Sequence, residues 1–299
     1  MNRGKIAIEK MCSLFEVSSS SYYNRKKQRS ICKRSFSFDL VKKEFLASKG
    51  TYGSVRIARK LQKQGHALSQ SSVARIMKEL ELYARPKPKY KATTDSAHDY
   101  KVAENLLQRN FQSERPNAKW VSDITYIRTQ SGWAYLTTVI DLADRMVVGW
   151  NVSTDLTCKN TSYEALRKAL FKRRVTDKLI FHSDRGVQYC CAEFRDLIKK
   201  NKNIRQSMSR KGNCWDNAVN ESFFKTIKVE SLNRNYYRNA NDVRQTVFDY
   251  IERWYNTKRI HSSIDYQTPS EKHRTLTRTY ESYNPKKTSD LNILKPIEV

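Results

Sequence analysis

The apolar pattern along this chain is helical in the first third and changes at Trp120 to strands, with helices interleaved from residue 160 onward. Over residues 1–34, Ile6, Met11 and Leu14 form a rough apolar face, and Val17 followed by Ser18, Ser19, Ser20 and Ser21 predicts a turn and a capped second helix. Three short helices are predicted over 39–82. The first spans 39–47 and is broken by Gly50-Thr51-Tyr52-Gly53. The second spans 55–64, with Ile57 and Leu61 one turn apart, and ends at Gly65, a residue suited to the left-handed position after a helix. Ser69 is a good N-cap for the third, 70–82, which places Val73, Met77 and Leu80 inward and Arg75 and Lys78 outward. A helix, a short turn and a second helix with outward cations form the helix-turn-helix pattern, although any small three-helix bundle reads the same way.

Arg85-Pro86-Lys87-Pro88-Lys89-Tyr90-Lys91 predicts an extended linker. Strands are then predicted over 120–128, 133–142 and 146–153, joined by short turns as in an antiparallel meander. A helix over 160–173, a buried strand over 178–182, a helix over 191–200, a strand over 204–209 and a long helix over 216–232 follow. A last helix spans 243–255, where Tyr250, Trp254 and Tyr255 are expected to pack onto the core, and residues 285–299 look frayed. The expected organisation is a helical segment 1–34, a helix-turn-helix domain 35–84, a basic linker 85–115, an α/β core 116–240 and a helical extension 241–299.

Charge narrows the partners. The 299 residues carry 57 Lys and Arg against 30 Asp and Glu, a formal net charge of +27. Residues 1–100 hold 22 basic and 8 acidic side chains, net +14, and residues 101–299 hold 35 and 22, net +13. Such a surplus favours a polyanion, and nucleic acid is the commonest one. The run Arg25-Lys26-Lys27-Gln28-Arg29 with Lys33 and Arg34 reads equally as a solvated linker or a phosphate contact. Apolar residues at 38% and aromatics at 11% argue against a disordered basic tail. No apolar run is long enough for a membrane span, and Met1-Asn2-Arg3-Gly4-Lys5 lacks the apolar stretch of a signal peptide, so a cytoplasmic, nucleoid-associated protein is expected. Cys12, Cys32, Cys158, Cys190, Cys191 and Cys214 are scattered without a C-x-x-C pair; neither a disulfide framework nor structural zinc is expected.

Three acids fall where they could converge. Asp123 lies in the first core strand, Asp184 at the end of the fourth, and Glu221 on the long helix, with 36 residues between the last two. Glu221, Lys225 and Lys228 share one helix face, opposite Val219, Phe223 and Ile227. Taken alone, that stripe reads as a solvated face with one Glu–Lys pair. Taken together, three carboxylates are what metal-dependent phosphodiester chemistry needs, because magnesium prefers oxygen ligands and leaves room for substrate phosphates.

An ordered series of motifs then sets a resemblance that covers nearly the whole chain. Its members include Tyr52-Gly53-Ser54-Val55-Arg56, Trp120-Val121-Ser122-Asp123-Ile124-Thr125-Tyr126, Val139-Ile140-Asp141-Leu142-Ala143-Asp144-Arg145, His182-Ser183-Asp184-Arg185-Gly186, and Gly212-Asn213-Cys214-Trp215-Asp216-Asn217-Ala218 with Glu221-Ser222-Phe223-Phe224. In these the chain resembles bacterial insertion-sequence transposases with a retroviral-integrase-like core, the second-reading-frame product of the insertion-sequence-three type. The resemblance implies a ribonuclease-H-like α/β core preceded by an all-α helix-turn-helix region. It implies Asp123, Asp184 and Glu221 as the catalytic triad and the ligands of Mg²⁺, with Mn²⁺ as a substitute. It implies DNA contacts at Lys225 and Lys228, and a DNA-facing loop with Arg210, Lys211, Asn213 and Asn217. Asp216 is expected to shape that loop, and Asp141 to play a structural part beside the triad. Arg75, Lys78, Arg259 and His261 are further expected DNA contacts. The spacing between Asp184 and Glu221 is one residue longer than usual in such proteins, and the turn at 200–204 is expected to absorb it.

The expected chemistry is cleavage at element ends by activated water, then attack of the freed 3′ hydroxyl on target DNA. The expected partners are terminal inverted repeats and target DNA, other copies of the chain on that DNA, and an upstream-frame product joined by frameshifting. Two alternatives stay open: a DNA-binding subunit that is silent until joined to that product, and a nuclease of the same fold.

Overall fold

The computed structural model describes residues 7–84, 102–211 and 213–283, without the side chains of 26–34, 214, 281 and 283. The side chains of the basic run beyond Arg25, the segment 85–91 and the residues 285–299 therefore lie outside the described residues. The chain forms two compact units, 1–86 and 87–299.

The first unit is helical, with α1 (Ile8–Leu14), α2 (Ser19–Ala47), α3 (Ser54–Lys63) and α4 (Gln70–Glu79). Ser18 caps α2 by accepting from Ser21 N, and Ser69 caps α4 by accepting from Ser72 N, both at 3.1 Å. Gly65 adopts a φ of +87° after α3. Its N–H reaches Gln62 O and that of His66 reaches Leu61 O, the paired bonds that close a helix over a left-handed residue. Ile57, Ala58 and Leu61 of α3 pack with Val73, Ile76 and Met77 of α4, together with Val41 and Tyr52. Arg75 and Lys78 stay exposed on the far side of α4. One expectation fails: α2 is continuous for 29 residues and crosses both the expected boundary at 34 and the expected start at 39. The basic residues in its middle are compatible with helix and do not end it.

The second unit is built on a five-stranded sheet of order β3-β2-β1-β4-β5. The strands are β1 (Lys119–Thr129), β2 (Gly132–Asp141), β3 (Val147–Ser153), β4 (Leu179–Ser183) and β5 (Ile204–Met208). The first three are antiparallel, and β4 and β5 join parallel to β1. The parallel pairs need crossovers, supplied by a π-helical turn (Lys159–Tyr163) with α5 (Glu164–Lys172), and by α6 (Val187–Cys190) with α7 (Ala192–Lys200). One sheet face packs Trp120, Val139, Phe181 and Leu179 against Leu166, Tyr189 and Phe194. The other packs Val121, Leu136, Ile140 and Val152 against α8 (Ala218–Glu230) and α9 (Ala240–Tyr250). Gly149 lets β3 and α5 touch: a Cβ there would stand 2.3 Å from Ala165 O.

Three sequence expectations are corrected here. Residues 102–115 are not linker but wrap the core: Leu107 is buried, and Ser207 Oγ accepts from Leu106 N and Leu107 N. The segment after 240 is no loose extension. Asn256 exchanges two hydrogen bonds with the Val147 backbone, and His273 on α10 (Pro269–Tyr283) bonds Asp144. Cys158 and Cys191, 33 residues apart in sequence, form a disulfide, because the π-helical turn packs on α6 and α7. Cys12 and Cys190 are buried and take no part in this bond. Among the described residues, no helix is long and apolar enough to cross a membrane.

Candidate active site

The parallel register of β1 and β4 sets the first two acids side by side. Val121 pairs with His182, so Asp123 and Asp184, each two residues further on, occupy the same level and face where β4 ends. Asp123 Oδ1 accepts from Ile124 N at 2.8 Å, and Asp184 Oδ1 from Gly186 N at 3.0 Å. A Cβ at Gly186 would stand 3.1 Å from that carboxylate oxygen, so this turn favours a residue without a side chain.

The third acid comes from α8. Phe223, Phe224 and Ile227 bury one face of this helix in the core, leaving Glu221, Lys225 and Lys228 half-buried on the opposite side. Val219 packs at the edge of the same core. The charges report the convergence. Burial pushes the Asp123 carboxyl well up, and the negative charges of Asp184 and then Glu221 push it further. Burial raises Glu221 as well, against the pull of Lys225. Burial lowers the Lys228 ammonium, against the pull of Asp123. Lys228 thus acts on Asp123 through its charge, and Lys225 acts on Glu221.

A buried polar layer holds β4 in place. Ser207 Oγ already accepts two backbone N–H groups, so its own proton goes to His182 Nδ1, 2.8 Å away. His182 Nε2–H then donates to Ser209 Oγ at 3.2 Å, which donates to Ser183 O. This network fits only the neutral imidazole, and burial pulls the His182 pKa down to about 4. Beneath Asp123, Tyr189 Oη and Ser122 Oγ share a hydrogen bond of 2.8 Å.

The loop between β5 and α8 is tied down by Asp216, which is fully buried. It accepts from Arg210 Nε and Nη2, Arg210 N, Arg109 Nε and Asn105 Nδ2, and these cations hold its carboxyl far below the usual range. Arg109 also donates to Asn213 Oδ1. Asn217 is buried and donates to Ser122 O, next to Asp123, while Asn220 joins Asn217 to Thr138 of β2. Trp215 projects from the loop, 69% exposed.

The expected contacts thus divide. Arg210, Lys211, Arg75 and Lys78 lie exposed, and Asn213 is half-buried. Asn217 is turned inward as a fastener between loop and sheet. Arg259, expected to meet DNA, is buried instead and pairs with Glu230 at 2.7 Å, which Tyr250 Oη also reaches. His261 packs its ring on Tyr255 beside this pair. Asp141 is structural as expected: it is buried and accepts from Arg173, Asn117 N, Ala143 N and Trp120 Nε1. Asn105 and Arg109 are not legible from sequence, because only the fold brings them to Asp216, more than a hundred residues away.

Family models agree with this architecture. Two models described as integrase core domain match residues 113–214 and 202–269, and one described as HTH-like domain matches 36–90. The chain is 38% identical over 266 residues to Transposase InsF for insertion sequence IS3A of Escherichia coli (strain K12), covering 87% of this chain and 92% of the relative. It is 39% identical over 264 residues to the insertion element IS600 uncharacterized 31 kDa protein of Shigella sonnei, covering 87% and 96%. Among solved structures, the HTLV-2 integrase catalytic core domain in complex with magnesium aligns with a TM-score of 0.40 at 18% identity, over 53% of this chain and 97% of that one. The BIV integrase catalytic core domain aligns with a TM-score of 0.40 at 17% identity, over 55% and 98%. With an integrase core, an HTH-like region and this identity over most of its length, the chain belongs to the IS3-family transposases, polynucleotidyl transferases of DNA transposition.

Proposed function

We propose that this chain cleaves DNA at the ends of an insertion sequence and transfers the freed strand to target DNA, with Asp123, Asp184 and Glu221 as its catalytic acids. The observation that carries this reading is the convergence of three carboxylates from β1, the end of β4 and α8, beside Lys228. The donor set fits hard divalent cations, because every ligand atom is a carboxylate oxygen and the cluster carries more negative charge than it neutralises. Asp123, Asp184 and Glu221 would hold Mg²⁺, or Mn²⁺ in its place. When bound, two such ions supply activation of the attacking oxygen and stabilisation of the leaving one.

The chain's own side chains do the positioning. Lys228 and Lys225 hold the phosphates that flank the scissile one, and Lys228 also offsets the charge of Asp123. Asn217 and Asp216 fix the loop that leads into α8 and so set where Glu221 stands. Arg210, Lys211 and Asn213 line that loop toward DNA. Arg75 and Lys78 on α4 contact DNA through the helical unit. The helical unit, 1–86, and the α/β unit, which takes in residues 102–115 and the C-terminal helices, serve this plan as DNA-holding and reacting parts. Copies of the chain assemble on the terminal inverted repeats, with an upstream-frame product as a further partner, and the protein works at the nucleoid.

The test is incubation with Mg²⁺ or Mn²⁺ and DNA bearing the element's terminal repeats. Cleavage that exposes 3′ hydroxyls, followed by joining, is expected. Cutting without joining and without need of the repeats would make the chain a nuclease. Binding without cutting until the upstream-frame product is fused to it would make the chain a silent subunit. DNA affinity is expected to fall steeply with salt.

A further inference from the structure

The turn after β3 docks on the chain that follows Asp184. Gln188 Nε2 donates to Leu156 O at 3.0 Å, and Ser162 Oγ donates to Gln188 O. Gln206 Nε2 of β5 donates to Tyr189 O at 2.6 Å and anchors the same segment from the other side. These bonds set Cys158 opposite Cys191 without help from the sulfurs, with the two Cα atoms 6.8 Å apart. Cys191 is the residue that opens α7, and the N-terminus of a helix favours negative charge there. Glu193 lies in the first turn of α7, exposed to water. One ligand atom from each of Cys158, Cys191 and Glu193 lies within 4.8 Å of the other two. Neighbouring Cys190 is buried and turned toward Met208 instead.

Two chemistries join these sulfurs. The disulfide is the form that an oxidising compartment keeps. Where a protein works on chromosomal DNA, the setting of the function proposed above, small thiols hold cysteines reduced. We propose that the reduced pair, with Glu193, is a binding site for a zinc ion. A dithiol reductant passes two electrons to the S–S bond, which leaves two thiols here and a disulfide in the reductant. Zinc then displaces both thiol protons to solvent, and the Glu193 carboxylate and a water complete four ligands. A tetrahedral ion with sulfur about 2.3 Å and oxygen about 2.1 Å away spaces its ligand atoms by roughly 3.5–3.8 Å. A small side-chain rotation parts the freed sulfurs to that spacing, within the reach the three residues already have. Thiolates select zinc over magnesium, so the site differs in chemistry from the carboxylates of Asp123, Asp184 and Glu221. The ion does under reducing conditions what the disulfide does under oxidising ones: it ties the turn after β3 to the start of α7. A separation of 33 residues hides the pair from any reading of local Cys spacing.

The probe is Co²⁺, whose bonds to thiolate absorb in the near ultraviolet and whose tetrahedral sites absorb in the visible. The full chain is reduced with a phosphine, freed of it, and titrated. The reduced wild type is expected to develop both bands and to saturate at one Co²⁺ per chain, and Zn²⁺ should bleach them. The disulfide form should show neither band. Cys158→Ser and Cys191→Ser should lose the bands, while Cys12→Ser, in the helical unit, should keep them. Glu193→Gln, a change at the surface, should weaken Co²⁺ binding by about tenfold or more, since even a lost outer partner costs that much. Near-ultraviolet dichroism from buried Trp120 checks that each variant is folded. A reduced wild type without the thiolate band overturns the site. So does a band that persists in the disulfide form or in Cys158→Ser, and so does a Glu193→Gln variant that binds as tightly as the wild type. The titration contains no DNA, so its failure leaves the DNA-cleaving reading standing.

Discussion

Replacing Asp216 by asparagine tests how one carboxylate holds the loop that leads to Glu221. The Asp216 side chain is fully buried, whereas Arg109 and Arg210 keep 45% and 55% of theirs exposed. Its five hydrogen bonds come from two guanidiniums, one backbone amide and Asn105, at 2.8–3.0 Å. The substituted amide would keep one acceptor oxygen and turn an NH₂ group toward these donors. Breaking a fully buried ion pair costs about 3–5 kcal/mol. Both arginines here can regain water, so the expected loss is about 2 kcal/mol. The assay is urea unfolding of wild type and Asp216→Asn, read as a shifted midpoint at constant slope. The pH dependence gives a second reading. The folded carboxyl takes its proton at lower pH than the unfolded one, so its stabilisation is full above the unfolded carboxylate value and disappears as pH falls toward the folded value. Asp216→Asn should therefore lose less stability than wild type on acidification. A destabilisation under about 0.5 kcal/mol, with unchanged cleavage, would refute the clamp.

His182 gives a second pH test of the same sign, in a higher pH window. Its folded pKa of about 4 lies below the unfolded value, so the unfolded chain binds more protons between the two and stability falls as pH drops through that window. The loss between about pH 7 and pH 5 should be about 2 kcal/mol in urea unfolding, and His182→Gln should flatten it. Gly149→Ala should destabilise by about 3 kcal/mol in thermal unfolding, because the new methyl meets Ala165 O and the Ala169 backbone, which cannot step aside. Arg259→Met should cost about 3–5 kcal/mol by leaving Glu230 buried without its cation. The same variant, assayed by DNA binding at a temperature where it stays folded, should match the wild type.

Legibility follows the range over which each signal acts. The strands are readable within a residue or two at each end because runs of apolar and β-branched residues bounded by turns mark them, although Leu136–Asp141 of β2 is buried on both faces and does not alternate. The capped ends at Ser18, Ser69 and Gly65 are readable because capping is local chemistry. The α8 face is readable from helical spacing alone. What escapes the sequence depends on contacts between distant segments. The wrap of 102–115 is held by Ser207 and Asp216, and nothing in its own sequence marks a partner. The Cys158–Cys191 bond has no spacing signature. Arg259 reads as a surface cation because its partner, Glu230, lies 29 residues earlier at the end of α8. Helix α10 gives no apolar signal, because its mean hydropathy is low and its anchors, His273 on Asp144 and Tyr280 on Asp177, are polar.

The most direct measurement compares wild type with Asp184→Asn, assaying DNA affinity and metal-dependent cleavage on the same terminal-repeat DNA. Asp184 touches Gly186 in the turn and acts on Asp123 through its charge, so asparagine should preserve the fold. Affinity is expected to stay within about tenfold of the wild type, since phosphate contacts by Lys and Arg carry it. Cleavage and joining are expected to vanish. Undiminished cleavage by Asp184→Asn, or loss of DNA binding in a variant that remains folded, would show that the three acids are not the reacting centre.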